Sequence, residues 1–168
     1  MRIATLLLLA VALPVAAADP APEITRAAGT PQSIGAVHTL RGIPEACARL
    51  EGTFTGDATQ PYRFEVVRTS PNCQARARFV AAAEAKPTAA GGWILNDVIR
   101  VPSATCPNQQ AVVRVWRHPA DATPPKLDAQ GRSRIYLQES VEKAKANALP
   151  PIPMYTASMA VEGKACGG

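Results

Sequence analysis

The chain has 168 residues, with 18 Lys and Arg against 13 Asp and Glu, a formal net charge of +5, four cysteines, 16 prolines and only eight aromatic residues. These figures exclude a large multidomain enzyme, a disordered acidic tail and a collagen-like repeat. Of the 47% hydrophobic residues many are alanine, 32 in all, and alanine buries little surface, so the core must be small.

Met1 and Arg2 form a short positive start, Ile3 to Leu13 is an apolar run, and Ala16 and Ala18 stand in A-x-A spacing. This reads as a secretory signal peptide over residues 1–18, cut before Asp19. The apolar run is about half of the roughly 20 residues that a membrane-spanning helix needs, so no stable membrane insertion is expected once it is removed. The short leader and the richness in Ala, Arg and Pro suit a bacterial protein that is periplasmic or secreted.

Residues 19–37 carry three prolines and scattered polar residues without a period of 2 or 3.6, and are expected to be a flexible lead-in. Residues 38–168 then read as one domain. Strands are expected at Arg49–Thr55 and Tyr62–Thr69, joined through a Gly56-Asp57 turn. In Cys73–Lys86, Ser70 and Pro71 could open a helix. Cys73, Ala75, Ala77 and Phe79 nevertheless alternate with Gln74, Arg76 and Arg78, which favours a strand through Val80. Trp93–Val101 and Ala111–His118 read as a second hairpin, Ser133–Ser140 as a further strand, Val141–Leu149 as one short helix stopped by Pro150, and Met154–Val161 as the last strand. About seven half-apolar strands with one helix make an all-β, single-domain antiparallel β-sandwich, because each strand needs a facing sheet to bury its inner side.

In an oxidising compartment an even cysteine count implies disulfides. If the first two strands form a hairpin, Cys47 and Cys73 both fall beyond its open end, which pairs Cys47 with Cys73 and leaves Cys106 for Cys166. The spacings contain no C-x-x-C pair and no histidine at a ligand-like interval, so no metal or other cofactor is expected.

No motif specifies a reaction. There is no G-x-S-x-G elbow, and His38 and His118 are the sole candidate bases for a nucleophilic serine. Asp97 draws notice because parity places it with Trp93, Leu95, Ile99 and Val101. A carboxylate on an apolar face must either be turned outward by a bulge, be satisfied by an arginine, or serve as a catalytic acid. Arginine outnumbers lysine by 13 to five, and Arg63, Arg76, Arg78 and Arg114, with Arg134 as a further member, fall on the outward parity of expected strands. A sheet face bearing several planar guanidinium groups is a candidate anion-binding surface. Nucleic acid is not expected as a partner, because no stacking aromatics interleave with the basic residues.

The sequence therefore points to an exported, disulfide-stapled binding protein. Its expected partner is an envelope protein or an anionic envelope component, with an inhibitor or immunity-type partner of a secreted enzyme as one form of this. A wall-active or ester-cleaving hydrolase using Asp97 or His118 is the alternative from another class. An accessory structural component of an envelope complex, docked through a strand edge, is the third.

Overall fold

A computed structural model describes residues 19–120 and 152–166. The expected leader, the strand at 133–140, the helix at 141–149 and Arg134 lie outside these. Two sheets are present: β1 (His38–Ile43), β2 (Ala48–Phe54) and β3 (Tyr62–Arg68) in the order β1-β2-β3, and β4 (Arg78–Phe79), β5 (Ile94–Pro102), β6 (Gln109–His118) and β7 (Met154–Gly163) in the order β4-β7-β6-β5. The seven strands pair antiparallel throughout, except that β4 joins β7 in parallel.

Alternation along the strands builds the interior. Leu50 and Phe54 of β2, Tyr62 of β3, Ile99 and Val101 of β5, Ala111, Val113 and Val115 of β6, and Tyr155 and Ala157 of β7 form one cluster between the sheets. The opposite parity of the four-stranded sheet carries a second cluster of Trp93, Leu95, Val98, Val112 and Trp116, packed by Val80, Ala85 and Met154. Both tryptophans are buried and act as core anchors. Gly52 lets the Tyr62 ring lie across β2, where its hydroxyl meets Nε2 of His38 at 2.8 Å. The disulfides are Cys47–Cys73 and Cys106–Cys166, with Cα separations of 5.8 and 5.6 Å, as the hairpin argument required.

Three local expectations differ from the structure. β1 was hidden because HTLRGI does not alternate: a bulge at Leu40 breaks its pairing with β2 between Thr39 and Arg41. The stretch from Cys73 is irregular, with a bend at Arg76–Ala77, contracting to the two-residue β4, and a single helical turn, α1 (Ala82–Ala85), follows it. Residues 19–37 do not hang free but form a strap along the outer edge of β5. Backbone N–H groups of Glu23, Ile24, Gly29 and Gln32 donate to carbonyls of Leu95, Asn96, Arg100 and Pro102, and that of Gly35 then crosses to Phe54 of the other sheet. The strap satisfies a strand edge that would otherwise be open, and it stitches the two sheets together.

Candidate functional site

The strap and the β1 and β5 bulges converge on one ion-paired seam. In β5 the bulge falls between Leu95 and Asp97, so Leu95 opposes Trp116 on the outer parity while Asp97 opposes Val115 and turns inward. Asp97 is fully buried. A carboxylate there must be paired, and two arginines from distant segments reach it. Arg26 of the strap grips it bidentately, Nε to Oδ1 at 3.0 Å and Nη2 to Oδ2 at 2.5 Å. Arg41, presented by the β1 bulge, donates Nη1 to Oδ2 at 3.3 Å and to the Asn96 side-chain oxygen at 2.5 Å. Asn96 donates Nδ2 to Glu23 Oε2 at 2.7 Å, and Arg117 of β6 closes the chain on Glu23 with bonds of 3.2 and 2.5 Å. These hydrogen bonds from Arg117 hold the Glu23 carboxyl below its ordinary range, against the opposing cost of its partial burial. Tyr155, in the core beside these groups, is raised by burial and by the negative charge of Glu45.

A cleft of about 350 Å³ opens between the strap and β1. Leu40, Ile99 and Val101 supply apolar lining, Thr30, Gln32, His38 and Thr39 supply polar groups, and Arg26 contributes a guanidinium. The Arg26 side chain is 37% exposed, and its bonds to Asp97 use Nε and Nη2, leaving Nη1 without a hydrogen bond among the described residues. The arrangement therefore offers one oriented cationic donor at the side of an apolar trough.

The sequence-level candidates scatter. Asp97 is both bulged and arginine-paired, but its bulge points it inward, and with no solvent access it cannot meet a substrate. Arg63 lies exposed on the outer side of the three-stranded sheet, whereas Arg114 lies on the outer side of the four-stranded sheet, ion-paired with Asp19 and Glu162. Arg78 pairs with Met154 at the sheet margin, and Arg76 is exposed in the bend before it. These four arginines do not share one face. His118 lines a second cleft of about 330 Å³ with Val80, Glu84, Ala85, Trp93 and Met154. Its Nδ1 lies 3.0 Å from the Pro119 carbonyl and its ring meets Trp93 edge-on. Arg26, Arg41 and Glu23 escaped the sequence reading because their partners lie more than 50 residues away. The one available signal was Asp97, whose need for a cation was legible.

Every cysteine among the four is committed to a disulfide, so none is a thiolate ligand or nucleophile. Comparison with known protein families, curated proteins and solved structures finds no match for this chain.

Proposed function

We propose that this is an exported binding protein of the cell envelope, periplasmic or secreted, that recognises another envelope macromolecule at the cleft between the strap and β1. The observation that carries this reading is the unused Nη1 donor of Arg26 beside the apolar lining of Leu40, Ile99 and Val101. Such a cleft suits an extended segment carrying an acidic group next to an apolar side chain: the anion meets an oriented guanidinium, and the apolar group is removed from water. Rigid strands and two disulfides hold the walls in place, which limits the ordering cost of binding. The disulfides also accord with an oxidising compartment.

Thr39 lines the cleft and is itself exposed, so Thr39→Glu adds a negative charge there without replacing a core side chain. In affinity capture from envelope extract of the native host, the wild type is expected to recover a defined partner that Thr39→Glu loses, while Arg78→Glu keeps it. Equal recovery by Thr39→Glu would discard the cleft.

A second reading, a hydrolase, has one observation in its favour: His118 and Glu84 line the same cleft. A neutral imidazole donating from Nδ1 to the Pro119 carbonyl leaves Nε2 as a base. It requires ester- or glycoside-cleaving activity that disappears in His118→Ala at unchanged Tm.

A further inference from the structure

The strap satisfies the outer edge of β5, but β1 keeps one edge free. The bonds flanking the β2–β3 ladder, Thr55 N–H to the Pro61 carbonyl and Thr69 N–H to the Cys47 carbonyl, fix its phase: Arg49, Glu51 and Thr53 spend their backbone groups on β3. Ala48, Leu50 and Gly52 therefore turn theirs to β1, where they oppose Ile43, Arg41 and His38. That leaves the backbone groups of Thr39 and Gly42 pointing away from β2, and neither residue has a backbone hydrogen bond elsewhere among the described residues. Both residues are exposed. At Gly42 the exposure is the main chain's own, and no atom beyond its chain neighbours lies within 4 Å of the place a Cβ would take. The bulge at Leu40 does not spoil this edge. Thr39 faces Glu51 and Gly42 faces Arg49 across the ladder, so three steps along β1 match two along β2, which sets the two outward residues at the pitch of an ordinary strand.

We infer that this edge receives an extended segment of a partner polypeptide as an added strand of the β1-β2-β3 sheet, antiparallel to β1. The inference rests on the strap cleft being the recognition site and adds how the partner is held there. Thr39 belongs both to the free edge and to the lining of the cleft, so a strand paired with Thr39 and Gly42 runs into the cleft. The two residues opposite Thr39 and Gly42 carry their side chains on the outer side of the sheet, and the residues alternating with them turn inward. Inward they meet Leu40, Ile99 and Val101 and the unused Nη1 of Arg26. The segment that fits therefore has an apolar and an acidic residue two positions apart, held by main-chain bonds along β1 and selected by the cleft. A phospholipid or a glycan has no row of backbone amides at a strand's pitch, whereas a polypeptide does.

A displayed library of random peptides of about ten residues, selected on the purified protein with its disulfides intact, supplies the probe. Selected peptides are expected to carry the apolar–x–acidic pattern. Methylating the backbone nitrogens of one such peptide singly is expected to weaken binding by about tenfold or more at alternate positions and little at those between, because only every second N–H faces β1. Hydrogen exchange at the Thr39 and Gly42 amides is expected to slow when the peptide binds. Gly42→Pro removes one outward donor and leaves the ladder with β2 intact, and it is expected to weaken the same peptide by about tenfold or more. The methylation scan leaves the protein unchanged, so it decides the matter whether or not Gly42→Pro folds. No binder, binders without the pattern, equal sensitivity to methylation at every position, or unchanged exchange at Thr39 and Gly42 would each overturn strand addition. If strand addition fails while Thr39→Glu still loses the peptide, the cleft stands without it; if Thr39→Glu binds like the wild type, the cleft itself falls.

Discussion

At Asp97 the polypeptide places a full negative charge where water cannot reach it, and two long side chains are committed to it. Removing one member of a buried ion pair costs about 3 to 5 kcal/mol, chiefly because the remaining charge is left unpaired. Here the remaining charges would be Arg26 and Arg41, whose side chains are 37% and 16% exposed, and water can partly rehydrate them. Asp97→Ala is therefore expected near the low end, at about 3 kcal/mol. That corresponds to a fall in Tm of roughly 6 to 12 °C for a domain of this size, measurable by calorimetry. Arg26→Met should cost less than Arg41→Met, because Arg41 also satisfies Asn96 and is the more buried of the two. A loss below about 1 kcal/mol for Asp97→Ala would mean that the seam is peripheral to stability.

The strap is an element defined by its partners. Its residues have no period and no strand propensity, and it is ordered by a few backbone bonds to β5 together with Glu23–Arg117 and Arg26–Asp97. Glu23 has a folded pKa below its unfolded value of about 4.5, so its contribution is fully present above that pH and is lost as pH falls through the lower folded value. Hydrogen-exchange protection of the Ile24, Gly29 and Gln32 amides should fall by up to about fivefold on acidification from pH 5 to 3, a modest effect because the pair is partly exposed. Glu23→Gln should begin lower and lose this component; an identical pH response in that variant would assign the change to another carboxylate. The same physics explains what the sequence could reveal. β2, β3, β5, β6 and β7 were legible within about two residues because their alternation records a buried face. β1 and the strap were not, since a bulge erased the alternation of the first and long-range pairing alone orders the second. Parity held from Asp97 through Ile99 to Val101 but failed for Trp93 and Leu95, because Asn96 is an extra residue and beyond it every side chain changes face.

For the molecule as a whole, a small interior makes the two disulfides a large share of stability. They close separate loops, with sequence separations of 26 and 60 residues. Chain-entropy reasoning assigns them about 3.5 and 4.3 kcal/mol through restriction of the unfolded chain. Because the loops do not overlap, the two effects should add. A domain of ordinary stability holds only about 5 to 15 kcal/mol, so losing both bridges should remove most or all of it. Urea titrations of Cys47→Ala/Cys73→Ala and Cys106→Ala/Cys166→Ala are expected to give lower midpoints, the second pair showing the larger loss. Strong reductant should unfold the wild type at temperatures where the oxidised protein stays native. The larger penalty falls on the second bridge, which ties the β5–β6 turn to the end of β7, because it closes the longer loop. Equal penalties, or a fully reduced chain that retains its near-ultraviolet dichroism, would show that the apolar interior suffices without its covalent ties.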